Sequence, residues 1–251
     1  MFYTQFLQGV HERLRPDTYL EIGVRDGRSL ALSRARSVGV DPAFAIDFEL
    51  DGDLALARTT SDEYFARPDP LALTGGRPFD LTFLDGLHLF DVVLRDFLHA
   101  ERLSTPWSVI VVDDVLPRSQ SEARRSPVSR AWTGDVYKLV GVLRECRPGL
   151  TVLPVDTRPT GLLVVLGLDP SDATLADTYA KIVEREAPAT EVPAELLTRE
   201  IALAPERVLA APVWDVLRML RGRRASPEEG AGELADALAR SFGPGHRVSV
   251  G

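Results

Sequence analysis

Acidic residues recur at the close of apolar runs along this chain, and one histidine stands among them. Asp41 follows SVGV, Asp62 follows LALARTTS, Asp85 follows LTFL, and Asp113 with Asp114 follows SVIVV. His88 lies three residues beyond Asp85, in the turn DGLH. Carboxylates so placed can accept hydrogen bonds from hydroxyl groups, hold a divalent cation or take a proton, and histidine can share that last task because it titrates near neutrality. Any one of them alone is commonly a helix cap or turn residue, so the inference rests on their joint position.

The segment Thr18 to Gly27, TYLEIGVRDG, adds a place for a ligand. An apolar run breaks on Glu21, and Gly23 and Gly27 then frame a turn leading into the helix-forming stretch RSLALSRAR. Missing side chains let a ligand approach the backbone, and a helix N-terminus beyond the turn favours a carboxylate or phosphate. A dinucleotide fingerprint would add a third glycine, G-x-G-x-x-G, so that backbone can meet a pyrophosphate. Here the pattern is E-x-G-x-x-x-G. Asp41 follows the glycine turn at about the distance, roughly 20 residues, at which an acidic side chain accepts ribose hydroxyls in nucleotide-binding folds.

These residues need elements to position them. Phe2, Phe6, Val10 and Leu14 recur every fourth residue and predict a first helix, ended by Arg15-Pro16-Asp17. Strands are expected at Tyr19 to Val24, Val38 to Asp41, Leu54 to Thr60, Leu81 to Asp85 and Ser108 to Asp113, with helices at Ser29 to Arg36, Asp62 to Ala66 and Phe90 to Leu103. Such alternation is the rhythm of a parallel α/β sheet, whose ligand crevice lies beyond the carboxyl ends of the strands. A helical stripe follows at Val136, Leu139, Val140 and Leu143. LTVLPVD and GLLVVLGL, joined by a short turn, then predict an antiparallel hairpin. From about Asp172 the pattern is helical. The expected organisation is a Rossmann-like α/β domain over residues 1–170 and a helical C-terminal extension over residues 171–251.

The order of these motifs, with FDLTFLDGLHLFDVVLRDF, WSVIVVDDVLPR and WTGDVYK, resembles the class I S-adenosylmethionine-dependent methyltransferases. Within that class it resembles the metal-dependent small-molecule O-methyltransferases of the catechol, macrolide-sugar and cephalosporin-biosynthesis types. The resemblance implies that Asp85, Asp113 and Asp114 form an acidic metal set. Three convergent carboxylates repel one another unless a cation compensates them, and an all-oxygen set suits Mg²⁺. It also implies a cofactor site drawn from Glu21, Gly23, Gly27, Asp41, Asp62, Asp85 and His88. Asp85 and His88 are the candidates for chemistry, His88 as general base or cofactor contact. Trp132 and Tyr137 are expected to wall an acceptor pocket or fill core.

Composition narrows the partners. A net charge of -8 argues against a nucleic-acid ligand, and a single cysteine, Cys146, rules out an intrachain disulfide and fits a reducing cytoplasm. No apolar run approaches the roughly 20 residues that cross a bilayer. The N-terminal MFYTQFLQGVHERLR lacks the order of a secretory signal. A cytoplasmic enzyme acting on a small-molecule acceptor is expected, and a homo-oligomer is compatible with it. The stretch Pro117 to Trp132 carries Arg118, Arg124, Arg125 and Arg130 and predicts an exposed loop that could close as a lid over an anionic acceptor. His11, His99 and His246 are expected to be surface or packing residues. Two rival classes stay open: a hydroxylase-type or nicotinamide-dependent enzyme on a similar sheet, and a noncatalytic partner subunit that keeps the cofactor fold.

Overall fold

The computed structural model describes residues 1–127 and 131–243. Its centre is a seven-stranded sheet formed by β1 (Thr18–Ile22), β2 (Arg36–Val40), β3 (Leu54–Ala57), β4 (Leu81–Leu84), β5 (Val109–Val112), β6 (Thr151–Val155) and β7 (Leu162–Leu166), in the order β3-β2-β1-β4-β5-β7-β6. The first five strands pair in parallel, and β7 pairs antiparallel with both β5 and β6. Parallel strands buried on both faces should read as continuous apolar runs. β4, β5, β6 and β7 are buried throughout.

Helices cover both faces. On one side lie α2 (Ser61–Phe65), α3 (Phe90–Arg102), α4 (Lys138–Cys146) and α5 (Thr174–Glu186), around a core that includes Phe97, Leu139 and Ile182. The short α6 (Ala194–Leu197) joins this side through Leu196. On the other side are α1 (Tyr3–Leu14), α7 (Pro205–Leu209), α8 (Val213–Gly222) and α9 (Pro227–Phe242), around Phe6, Phe83 and Trp214. The helices beyond residue 171 therefore contribute to both layers. Among the described residues, no helix is long and apolar enough to cross a membrane.

One expected helix is absent. The stretch Ser29 to Arg36 contains only a single 3₁₀ turn at Leu30–Leu32, and Arg36 already belongs to β2. Chain length supplies the reason. Returning along a five-residue strand means covering about 17 Å, whereas eight helical residues rise only about 12 Å. The link is instead stretched, and Ser33 and Ser37 hydroxyls pin it to each other and to neighbouring backbone. The third strand also closes at Ala57, short of the expected Thr60, because Thr60 caps α2 by accepting from the Glu63 N–H.

Candidate active site

Sheet register brings the chemistry to one edge. Ile22 pairs with both Val40 and Leu84, and Leu84 pairs with Val112. Gly23, Asp41, Asp85 and Asp113 are each the next residue, so they form a row one position beyond the strand ends. Backbone hydrogen bonds hold that row: Gly23 donates to Val40, Asp85 to Ile22 and Asp113 to Leu84, at 2.9, 2.8 and 3.0 Å.

The glycine turn is fixed from several directions. Gly23 has φ +91°, and a Cβ there would lie 1.9 Å from the Asp85 carbonyl oxygen, so only glycine lets β1 leave the sheet beside β4. Asp41 accepts the Arg25 N–H at 2.8 Å through Oδ2 and the Ala43 N–H at 2.6 Å through Oδ1. A carboxylate has about four acceptor positions. Asp41 thus holds the turn with two of them and, half-buried, keeps capacity for hydroxyl donors.

Glu21 lies beneath the turn and is fully buried. The Tyr19 hydroxyl donates to one of its oxygens at 2.6 Å and the Ser29 hydroxyl to the other at 2.8 Å. Burial pushes its carboxyl up to about 8, against the opposing pull of the two hydroxyl hydrogen bonds. Its visible contacts are those of a support for the turn. Asp62 stands apart from the row. It makes a two-oxygen ion pair with Arg95 of α3 at 2.6 and 2.7 Å, and that guanidinium holds its carboxyl below the usual range.

His88 joins two of the aspartates. Its Nε2 is 3.5 Å from Asp85 Oδ1, and its Nδ1 is 3.0 Å from Asp114 Oδ2 and 2.9 Å from the Trp132 carbonyl oxygen. The Trp132 indole stacks on the imidazole, with centroids 5.3 Å apart and planes at 23°. Among the described residues, Asp85, His88 and Asp114 form the group whose ligand atoms lie within 4.8 Å of one another. Asp113 is outside it. One of its oxygens accepts the Asp114 N–H at 2.8 Å, and Asp114 has the left-handed φ of 65° that turns its own side chain towards His88.

The electrostatics follow from three carboxylates in little water. Burial raises the Asp85 carboxyl, with His88 opposing the rise. Burial, then Asp114 and Asp85, drive Asp113 well above the carboxylate range. Burial alone would lower the His88 pKa, but hydrogen bonds and charge from Asp114 and Asp85 outweigh it and raise the imidazole to about 11. Hydrogen bonds to both carboxylates favour the charged form of His88, which offsets part of the negative charge of the cluster. A site of two carboxylates and one imidazole differs from the all-oxygen expectation. Its carboxylates suit Mg²⁺ or Mn²⁺ alike, and its imidazole adds a donor that transition metals accept readily.

Several site residues escaped sequence reasoning. Tyr3 of α1 stacks on Phe83, two residues before Asp85 on the same strand face, with centroids 6.4 Å apart. Burial, then the charges of Asp85 and Asp113, push its phenol up to about 12. Asp135 accepts the Phe90 N–H at 2.8 Å and so caps α3 from another segment. Of the remaining expectations, Tyr137 is buried, with its hydroxyl 3.4 Å from the Glu191 carbonyl oxygen. His11 is buried against Tyr19, and His99 stacks on Phe65. Arg118 pairs with Glu122, and Arg125 with Asp91 at 2.6 Å. Arg130 and His246 lie outside the described residues.

Residues 20–115, from within β1 to just past Asp114, match the family model described as a methyltransferase domain. That part of the chain is similar to a methyltransferase domain. The parallel strands with a terminal antiparallel hairpin are the sheet that the motif order implied. No curated protein matches the sequence. Among solved structures, the chain is similar to an O-methyltransferase of tomaymycin synthesis from Streptomyces achromogenes, in complex with S-adenosylmethionine, at 21% identity and TM-score 0.48 over 65% of this chain and 79% of that one. It is also similar to an O-methyltransferase from Bacillus cereus in complex with S-adenosylhomocysteine, at 18% identity and TM-score 0.46 over 65% and 80% of the two chains. In this chain a glycine turn, Asp41 with acceptor capacity and the acidic cluster lie along one edge of the sheet.

Proposed function

We propose that this chain transfers the methyl group of S-adenosylmethionine to a hydroxyl of a small molecule, a secondary metabolite or sugar. The observation that carries the reading is the Asp85, His88 and Asp114 cluster at the strand ends of the sheet, beside the glycine turn. When bound, the sulfonium supplies an electrophilic methyl group. Asp41 receives the ribose hydroxyls, and the Gly23 to Gly27 turn receives the amino-acid end. His88, held as an imidazolium, orients the acceptor and offsets charge as its oxygen becomes nucleophilic. Asp85 takes the hydroxyl proton, because burial makes it a stronger base than a solvated carboxylate. A divalent cation is a second reading of the same cluster, favoured by its donor set, with Asp85, His88 and Asp114 as ligands and a Lewis acid as what it would supply.

Calorimetry with S-adenosylhomocysteine tests the reading, with a micromolar Kd expected. Asp41→Ala should weaken it at least tenfold, since charge-assisted hydrogen bonds contribute roughly 1.5–3 kcal/mol each and about 1.4 kcal/mol is a factor of ten. Binding of NADH in its place would overturn the proposal. A melting temperature that rises with Mn²⁺ or Mg²⁺ and returns with chelator would support the cation.

A further inference from the structure

The glycine turn lacks the feature that would make it an anion cradle unaided. Only the three-residue 3₁₀ turn Leu30–Leu32 follows it, so no long helix aims a dipole at a carboxylate. Positive charge must come from side chains, and two arginines flank Asp26 in the turn. Arg28 is engaged: its guanidinium is 3.2 Å from Asp26 and 5.3 Å from the centroid of the Phe48 ring. Arg25 is held far more by its backbone than by its side chain. Its N–H donates to Asp41 and its carbonyl accepts the Ala45 N–H, both at 2.8 Å, while its guanidinium is 71% exposed and 3.8 Å from Asp26. The fixed backbone anchors the side chain, and the weakly paired guanidinium is left available to an anion.

Its surroundings place that head at the crevice. Arg25 lies two residues past Gly23, and its N–H donates to Asp41, so the side chain leaves the backbone beside the row of residues just beyond the strand ends. We propose that Arg25 binds the amino-acid carboxylate of S-adenosylmethionine, doing with a guanidinium what a helix N-terminus does elsewhere. The assignment rests on the cofactor reading given above. Arginine suits the role because its planar fork matches a carboxylate with two parallel hydrogen bonds.

The test compares two ligands that differ in the group concerned. S-adenosylhomocysteine carries the amino-acid carboxylate, and 5′-methylthioadenosine keeps the nucleoside and thioether without it. Arg25→Asn removes the charge and suits the left-handed backbone found here, φ 49°. By calorimetry, this variant should bind S-adenosylhomocysteine at least tenfold more weakly and 5′-methylthioadenosine within twofold of wild type. Arg25→Lys should recover part of the loss. Equal weakening of both ligands, or of neither, overturns the assignment alone. Wild-type protein that binds neither ligand overturns the cofactor reading and the assignment with it.

Discussion

The carbonyl oxygen of His88 lies 1.6 Å from the point that a Cβ on Gly134 would occupy. Residues 132–135 are pressed onto the DGLH turn, and three of them touch it or the helix that follows: Trp132 by its carbonyl and ring, Gly134 by close approach, Asp135 by capping α3. Gly134 also has φ +58°. Gly134→Ala must therefore displace backbone, which unlike a side-chain tip cannot rotate away. The expected cost is about 1–3 kcal/mol of stability, and methyl transfer should fall at least tenfold while S-adenosylhomocysteine binding stays within twofold. Melting, turnover and calorimetry on one preparation check it. Wild-type turnover would show that the position of His88 is unimportant.

Which features were legible follows from the range of the physics behind them. The parallel strands and the closing hairpin were, because burial on both faces leaves apolar runs whose ends need no tertiary knowledge. The row Asp41, Asp85 and Asp113 was legible for the same reason, since each follows its strand directly. The helix after Gly27 was misread because RSLALSRAR has helical propensity, and only the position of Arg36 in β2 shows that the link is too short. Tyr3 was hidden by the stripe of Phe2, Phe6, Val10 and Leu14, which describes how α1 packs and says nothing of what its first turn faces. That His88 joins Asp85 to Asp114 depends on the left-handed backbone at Asp114, a conformation no local pattern signals for aspartate.

The arginine-bearing loop is fastened in its described part. Arg125 pairs with Asp91 in the first turn of α3 and lies 3.4 Å from Asp135, while the Trp132 indole donates to the Arg124 carbonyl at 2.6 Å. A half-exposed ion pair contributes about 0–1 kcal/mol, enough to bias a loop and too little to govern the fold. Arg125→Ala should leave the melting temperature within a few degrees and raise the rate of subtilisin cleavage between residues 117 and 127 several-fold. Cleavage at the wild-type rate would mean that the Arg124 and Glu122 contacts hold the loop without it.

Glu21 and His11 should give the stability of this protein opposed pH limbs. They meet through Tyr19, whose ring packs edge-on to His11 with centroids 4.8 Å apart and whose hydroxyl donates to Glu21. Burial raises Glu21 from 4.5 to about 8, so the folded state binds the extra proton. Its contribution is fully present below pH 4.5 and is lost as pH rises through about 8. Burial lowers His11 from 6.5 to about 4, so there the unfolded state binds the extra proton. That contribution is present above pH 6.5 and is lost as pH falls through about 4. Urea melts between pH 4 and 9 should show stability falling away on both sides of mildly acidic pH. Glu21→Gln keeps an acceptor for one of the Tyr19 and Ser29 hydroxyls and presents an NH2 donor to the oxygen of the other, and it should flatten the alkaline limb alone, while His11→Phe should flatten the acid limb alone. An alkaline limb unchanged in Glu21→Gln would place its proton on another group, and Glu21 would then be a carboxylate kept charged by its two hydroxyl donors.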